Sequence, residues 1–324
     1  MTTPVLSVRD LSVEIPTRAG IVKPVDGVSY DIGKGEILGV VGESGAGKSM
    51  AGNAVIGLLS PPAHISGGEI WLNGKRIDHL QGEAMRRLRG KDIGMVFQDP
   101  LTSLNPLLTI GDQLAETMQT HLPIGRREAE KRAIAALEEV GIPGAAERID
   151  SYPHEFSGGM RQRVVIALAL CAEPSLIIAD EPTTALDVSV QAQIIALLRR
   201  LCRERGTAVM LITHDMGVIA EAADRVAVMY AGRLAELGTV RDVLTRPEHP
   251  YTDGLMASTP LAAAGQTRLH QIPGAMPRLT QMPEGCAFHP RCPYAQDKCR
   301  SAPNPTIEGG RAACWFPLLQ EAAV

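Results

Sequence analysis

The chain has 324 residues, 45% of them hydrophobic, which predicts a folded protein of about two domains. A formal net charge of −4 and the lack of a basic tract argue against nucleic acid as a partner, because binding to phosphate backbones needs a concentrated basic surface. The longest uninterrupted apolar run, Val164 to Ala172, has nine residues, about half of what a bilayer crossing requires, and the first residues lack the pattern of a secretion signal. We therefore expect a cytosolic chain whose role at a membrane is peripheral.

The first segments predict a pair of strands and then a buried strand. Val5 to Ile15 alternates enough for a strand, and Val28 to Ile32 is its predicted partner. The segment P-T-R-A-G-I-V-K-P between them, residues 16–24, is predicted to be a loop. Glu36 to Val41 supplies a short apolar run that is typical of a buried strand.

The stretch V-V-G-E-S-G-A-G-K-S, residues 40–49, is the most informative in the chain. Its glycines permit backbone angles that side chains forbid, so the strand should end in a loop of free N–H groups. The following M-A-G-N-A-V-I-G-L-L predicts a helix whose positive end helps to hold an anion. The pattern G-x-x-x-x-G-K-[ST] predicts a phosphate cradle, a lysine for the β- and γ-phosphates and a hydroxyl for Mg²⁺, and it is filled by Gly42, Gly47, Lys48 and Ser49.

The middle of the chain predicts a hairpin, another short strand and a helical insert. Asn73-Gly74 is a strong hairpin turn signal within Gly68 to Ile77, which should extend the antiparallel sheet. Ile93 to Gln98 reads as a short strand that places Gln98 at a strand-to-loop junction. From about residue 100 to 170 the pattern is helical, as in Arg126 to Val140, where apolar residues recur at helical spacing.

Polar groups then follow at the ends of three further segments. Ser157-Gly158-Gly159 precedes an apolar helix, which fits either an ordinary helix cap or a site that offers backbone donors to a ligand. Asp180-Glu181 follows the buried run Leu176 to Ala179, so one carboxylate can hold Mg²⁺ and the other can polarise water, the alternative being a solvated turn. His214 ends the strand predicted at Ala208 to Thr213, where a lone histidine is usually structural but where open α/β sheets also bind ligands. A helix from about Ser189 to Arg205 lies between the last two, and a final hairpin of Val226 to Tyr230 and Arg233 to Gly238 closes the predicted core.

Taken together, the order and spacing of these motifs resemble the ATP-binding-cassette (ABC) ATPase family over roughly residues 5–240. Residues 42–49 are similar to its Walker A loop, Gln98 to its Q-loop glutamine, and residues 157–161 to its signature motif, although Phe156 and Met160 replace the usual leucine and glutamine. Leu176 to Glu181 resembles Walker B with the catalytic glutamate, Ala185-Leu186-Asp187 the D-loop, and His214 the switch histidine.

The resemblance implies roles for these residues. Catalysis would rest on Glu181, which orients or deprotonates water, His214, which contacts the γ-phosphate, and Gln98, which senses Mg²⁺ held by Ser49 and Asp180. Two chains would form a head-to-tail dimer in which the signature motif of one caps the nucleotide on the Walker A loop of the other. The residues implied in ATP binding are Ile15, which stands where an adenine-stacking aromatic is expected, together with Gly42, Glu43, Ser44, Gly45, Ala46, Gly47, Lys48, Ser49, Ser157, Gly158 and Gly159.

The carboxy-terminal extension, residues 241–324, adds a cysteine cluster. R-P-E-H-P-Y-T-D-G-L resembles the start of the C-terminal region of ATPase subunits of the dipeptide, oligopeptide and nickel permeases, some of which carry a [4Fe–4S] cluster. Structural zinc favours C-x-x-C pairs, which are absent, so an iron–sulfur cluster is favoured over zinc and over free thiols, with His289 interpreted as a loop residue. The candidate ligands, spaced x5, x6 and x14, are Cys286, Cys292, Cys299 and Cys314.

These observations predict an α/β ABC ATPase (P-loop NTPase) core over residues 1–240, with an antiparallel β subdomain and a helical subdomain, followed by the small Cys-rich extension. The predicted function is ATP hydrolysis with Mg²⁺ that energises an importer of dipeptides, oligopeptides or related solutes. Its expected partners are a second ABC ATPase subunit, identical or related, two integral membrane permease subunits and, indirectly, a substrate-binding protein, at the cytoplasmic face of the inner membrane. The alternatives are a soluble ABC ATPase of DNA repair or translation, disfavoured because no long coiled-coil insertion or second cassette is present, and an importer of nickel or another non-peptide substrate.

Overall fold

The computed structural model describes residues 3–184, 186–258, 271–307 and 309–318. Ala185, the first residue of the predicted D-loop, lies outside them. The strands are β1 Leu6–Thr17, β2 Gly20–Ile32, β3 Ile37–Val41, β4 His64–Leu72, β5 Lys75–Arg76, β6 Ile93–Val96, β7 Leu176–Asp180, β8 Ala208–Ile212, β9 Arg225–Tyr230 and β10 Arg233–Thr239. The α-helices are α1 Lys48–Val55, α2 Gly82–Leu88, α3 Pro100–Ser103, α4 Ile110–His121, α5 Arg126–Glu139, α6 Ala145–Arg148, α7 Gly158–Leu170, α8 Val188–Arg205, α9 Met216–Ala222, α10 Val240–Thr245, α11 Pro250–Ala257 and α12 Asp297–Ser301.

The described residues form two compact units. The helical unit comprises those of Met1–Val5, Gly33–Glu36 and His79–Leu211. The sheet unit comprises those of Leu6–Ile32, Ile37–Asp78 and Ile212–Val324. None of the described helices combines the length and the apolar composition needed to cross a bilayer.

An antiparallel sheet in the order β2-β1-β4-β5 forms one part of the sheet unit. β1 pairs with β2, with Leu11 opposite Val28, and this confirms the predicted strand pair. Asn73 and Gly74 have φ values of 49° and 75°, as a tight hairpin turn between β4 and β5 requires, so the predicted hairpin is also confirmed.

The loop predicted for residues 16–24 is wrong, because β1 runs to Thr17 and β2 already starts at Gly20. Two prolines suggested a break, since proline has no N–H for a sheet ladder. Pro24, however, lies in β2 at the edge of the sheet, and the pairing of β1 with β4 stops at Glu14, before Pro16. Each proline therefore has one side on which no strand needs its N–H.

The buried strand β3 belongs to the second sheet. Its five residues are all buried, β9 pairs with it in parallel, and β10 pairs antiparallel with β9. The β9–β10 pair is the predicted final hairpin. Because β3 is followed directly by the glycine-rich loop and α1, the sheet fixes where that loop begins.

In the helical unit, β6 and β7 pair in parallel, with Ile93 opposite Leu176, and β8 neighbours β7. Helices α3 to α7 follow β6 before the chain returns to β7. The amphipathic helix α5 buries Ala133 and Leu137 completely, as its spacing predicts. The polar residues Gln98, Asp180 and Glu181 lie at or just after the carboxyl ends of β6 and β7.

Candidate functional site

The loop between β3 and α1, residues 42–47, is built so closely against neighbouring backbone that glycine is required at two positions. Gly47 has φ 101°, and a Cβ there would lie 2.1 Å from the carbonyl oxygen of Pro24. A Cβ on Gly42 would lie 2.2 Å from the carbonyl oxygen of Met229. The sheet unit therefore holds the loop in one shape, with the N-terminus of α1 at its end.

Lys48 is buried at the base of this loop. Its Nζ donates hydrogen bonds to the carbonyl oxygens of Gly42 at 2.9 Å and Glu43 at 3.1 Å. A buried ammonium group and the first N–H groups of a helix together favour an anion, since both present positive charge. Ser49, next in the helix, is exposed. The loop has the chemistry of a phosphate-binding site.

In the helical unit, Glu181 receives two hydrogen bonds on one carboxylate oxygen. Gln98 Nε2 donates to Oε2 at 3.1 Å, and the Thr184 hydroxyl donates to the same oxygen at 2.9 Å. Glu181 has φ 47°, a left-handed conformation that is uncommon for a residue with a side chain and that turns the chain directly after Asp180, the last residue of β7. Three predicted site residues are thus adjacent here, although Gln98 and Glu181 are far apart in sequence.

Ser157 is the N-cap of α7, as the sequence predicts, because its hydroxyl accepts a hydrogen bond from the Met160 N–H at 3.3 Å. Ser157 and Gly158 are exposed, and their backbone is open to a ligand. A Cβ on Gly159 would lie 2.7 Å from Cγ1 of Val190 in α8, so this glycine is required by packing. The cap is confirmed, and the ligand role of residues 157–159 stays a prediction.

His214 follows β8 and is exposed. The preceding Thr213 is anchored, since its N–H donates to the Val40 carbonyl oxygen at 3.1 Å and its hydroxyl accepts from the Asp215 N–H at 3.1 Å. Ile15 is half-buried in β1, opposite Val22 of β2. Both belong to the sheet unit, as does the phosphate loop, whereas Gln98, Asp180, Glu181 and residues 157–159 belong to the helical unit.

The four cysteines of the extension line one pocket, which opens partly to solvent. Burial raises the pKa of the Cys286 and Cys292 thiols, and raises that of Cys314 to about 11, with neighbouring cysteines adding to the effect. Aromatic rings, among them Phe288 and Trp315, complete the lining. Within the described residues, no three His, Cys, Asp or Glu side chains converge in a way that would hold a single metal ion. Four sulfur donors therefore surround one pocket, but they are not arranged around a single ion position.

Three residues that the sequence reasoning did not single out contact predicted site residues. Thr184 contacts Glu181, whereas Arg291 and Tyr251 contact Glu43 of the phosphate loop. Thr184 belongs to the run D-E-P-T-T, so its closeness to Glu181 in sequence could have marked it as a site residue. Arg291 and Tyr251 lie more than two hundred residues from Glu43, and no local signal marks them.

Comparison with known proteins agrees with this geometry. Residues 25–184 match the ABC transporter family, and residues 235–299 match the C-terminal region of oligopeptide/dipeptide transporters. The chain is 49% identical over 316 residues to the dipeptide transport ATP-binding protein DppD of Bacillus subtilis (strain 168), covering 96% of this chain and 94% of the relative. It is 48% identical over 316 residues to the oligopeptide transport ATP-binding protein OppD of Escherichia coli (strain K12), covering 97% and 93%. The chain belongs to the family of ABC transporter ATP-binding subunits.

Solved structures agree on the fold of this ABC subunit. An ATP-binding cassette described as a dimer in a post-hydrolysis state, bound to ADP and Pi, is 28% identical, has a TM-score of 0.65, and covers 73% of this chain and 99% of its own. The cassette cbiO1 from Clostridium perfringens is 29% identical with a TM-score of 0.65, covering 76% and 92%. This ABC subunit is therefore an α/β P-loop ATPase with an antiparallel β sheet and a helical part, as its motifs predict.

Proposed function

We propose that this chain hydrolyses ATP to energise an ABC importer of dipeptides or oligopeptides. The observation that carries the ATPase assignment is the phosphate loop, in which Lys48 Nζ lies within hydrogen-bonding distance of two loop carbonyls at the start of α1. A loop of this shape offers a fixed positive site for the β- and γ-phosphates. The names of the relatives that match nearly the whole chain support peptides as the transported class.

In this proposal, hydrolysis works by positioning and by charge neutralisation. Lys48 and the loop N–H groups neutralise the phosphates, and Ser49 and Asp180 hold Mg²⁺. Glu181 orients or deprotonates the attacking water, Gln98 senses the bound Mg²⁺, and His214 contacts the γ-phosphate. The hydrogen bond from Gln98 to Glu181 supports the pairing of these two roles.

The remaining assignments concern the partner subunit and the domains. Ser157, Gly158 and Gly159 of one chain would cap the γ-phosphate on the loop of a second chain, with Leu186 and Asp187 nearby and Ile15 packing against adenine. The dimeric cassette among the similar structures supports such a pairing.

The ATPase domain would extend over residues 1–240 and the extension over residues 241–324. Two permease subunits and a substrate-binding protein would complete a transporter at the inner membrane, with this chain on its cytoplasmic face.

We further propose that the extension binds an inorganic group through Cys286, Cys292, Cys299 and Cys314. Zinc would need all four sulfurs at about 2.3 Å from one ion. The four thiols line a common pocket, and their wide spacing without C-x-x-C pairs favours the larger [4Fe–4S] core over zinc. Anaerobically purified protein should show iron, sulfide and visible charge-transfer absorption, all lost in Cys299→Ser but not in the control Cys202→Ser, which changes a buried cysteine of α8. Zinc without iron, or neither metal, would refute the cluster.

Glu181→Gln tests the ATPase mechanism. The substitution keeps the side chain's size but removes the base, so ATP binding should persist while hydrolysis falls by a factor of about 100 or more. Glu204→Gln, an exposed change on α8, is the matched control and should hydrolyse ATP normally. Normal hydrolysis by Glu181→Gln would refute the role of Glu181.

Uptake by cells that express the complete transporter tests the substrate class. Labelled dipeptides and oligopeptides should be taken up by the wild type and not by Glu181→Gln. Nickel uptake without peptide uptake would show that the transported substrate is nickel and not a peptide. Failure of the chain to co-purify with integral membrane proteins would favour a non-transport ATPase.

A further inference from the structure

The second residue of the phosphate loop, Glu43, is held by residues from the carboxy-terminal part of the chain. Its backbone N–H donates to the Tyr251 hydroxyl oxygen at 2.9 Å. Its two carboxylate oxygens accept from Nη1 of Arg291 at 2.9 and 3.2 Å. Two positions further on, a Cβ on Gly45 would lie 3.1 Å from Cε of Met276, so a third part of the extension touches the loop.

The side chain of Arg291 is held in place by contacts other than the one with Glu43. Its side chain is 6% exposed, and its Nε donates to the Pro273 carbonyl oxygen at 2.9 Å. The guanidinium lies 5.8 Å from the ring centre of Tyr230 and 5.9 Å from that of Phe288, a cation–π arrangement. A side chain held in this way costs little further entropy when it binds a carboxylate, so the contact is preorganised.

The ion pair between Arg291 and Glu43 affects the electrostatics of the phosphate loop. A carboxylate in a loop that binds a triphosphate repels the ligand, and partial burial weakens the screening of that repulsion by water. Glu43 is such a carboxylate, with a side chain 31% exposed. Arg291 neutralises the charge of Glu43. The positive charge of Lys48 and of the N-terminus of α1 then dominates the electrostatic potential at the phosphates.

We propose that Arg291 and Tyr251 are positioning residues for ATP binding, through which the carboxy-terminal extension sets the charge and shape of the phosphate loop. The inference rests on the proposed function, because it takes residues 42–49 as the ATP site. Arg291 neutralises Glu43, and the Tyr251 hydroxyl fixes the Glu43 N–H. The extension then contributes to nucleotide affinity without touching the nucleotide.

The main test compares ATP affinity in Arg291→Met, Glu43→Gln and the double variant, measured by equilibrium binding of a fluorescent ATP analogue to the full chain. Arg291→Met leaves the Glu43 charge uncompensated and should weaken binding about tenfold. Glu43→Gln removes both the charge and its need for a partner, so it should bind ATP more tightly than Arg291→Met does. The double variant should recover to the level of Glu43→Gln, because no uncompensated carboxylate remains.

The kinetic signature separates positioning from catalysis. Arg291→Met should raise KM for ATP while kcat at saturating ATP stays within about twofold, because the reacting groups are unchanged. Tyr251→Phe keeps the ring and loses the acceptor, and should weaken binding about threefold. Arg291→Lys retains the charge without the planar fork and should fall between wild type and Arg291→Met, which provides a readout if the methionine variant folds poorly.

A matched control uses another ion pair of the extension. Arg311 donates to Glu248 at 2.6 Å, and both residues lie outside the phosphate loop. Arg311→Met should lower the melting temperature without changing ATP affinity. Unchanged affinity in Arg291→Met, or a double variant as weak as Arg291→Met, would overturn the inference.

The same assay separates this inference from the proposed function. Lys48→Ala should abolish ATP binding whatever the extension does. If Lys48→Ala binds ATP normally, the ATP site itself is wrongly assigned. If Lys48→Ala loses binding and Arg291→Met does not weaken it, only the role of the extension fails.

Discussion

Ser157→Ala separates two roles that one hydroxyl can have. As an N-cap it satisfies one backbone donor of α7, and as part of a signature motif it helps to bind the γ-phosphate of a partner subunit. The first role acts on stability and the second on turnover. A single substitution therefore has two readouts of different size.

The structure limits the stability effect. Loss of a serine cap costs about 0.5–2 kcal/mol in general. Here the cap bond is long, at 3.3 Å, and Ser157 is exposed, so water can replace the hydroxyl. We expect a loss of about 0.5–1 kcal/mol, equivalent to about 1–3 °C in Tm.

The effect on turnover should be far larger if Ser157 faces a nucleotide. Removal of one donor that stabilises developing charge lowers kcat by a factor of about 100–1,000. The assay is steady-state ATP hydrolysis at saturating ATP, in parallel with thermal unfolding of the same preparation. Thr239→Ala, which removes the N-cap of α10 where the hydroxyl accepts from the Asp242 N–H at 3.1 Å, is the matched control and should change Tm alone. If Ser157→Ala lowers Tm but keeps kcat within about twofold, the residue is a cap and nothing more.

Two predictions concern stability. Phe156 is 2% exposed and Phe97 44%, so Phe156→Ala should lower the free energy of unfolding by about 3–5 kcal/mol in urea titration, against about 0.5 kcal/mol for Phe97→Ala; similar losses would contradict the assigned burial. Burial lowers the pKa of His249 from 6.5 to about 4. Between these pH values the unfolded chain binds a proton at this side chain that the folded protein does not bind. The free energy of unfolding should therefore fall by up to about 3 kcal/mol as the pH is lowered from about 6.5 to 4. His249→Asn keeps an acceptor for the Tyr251 N–H and should lose stability less steeply between about pH 7 and 4.5; equal slopes would contradict this role.

Local patterns predicted the parts of the molecule whose chemistry lies within a few consecutive residues. The phosphate loop follows from the glycines at 42 and 47, the β4–β5 turn from Asn73-Gly74, and the start of α7 from Ser157. In each case the signal in the sequence is the residue itself or a neighbour three positions away. The prolines at 16 and 24 misled the same reasoning, because whether a proline breaks a strand depends on which of its sides faces another strand.

The sequence by itself therefore determined the family, the phosphate loop and the polar residues at the strand ends, since these are written in contiguous motifs. Only the tertiary structure decided which distant groups meet: Gln98 with Glu181, the four thiols around one pocket, and Arg291 with Glu43 across 248 positions. Such contacts carry no local signal, because the chain entropy lost in closing so long a loop is offset by the packing of everything between the two residues. That packing exists only in the complete fold.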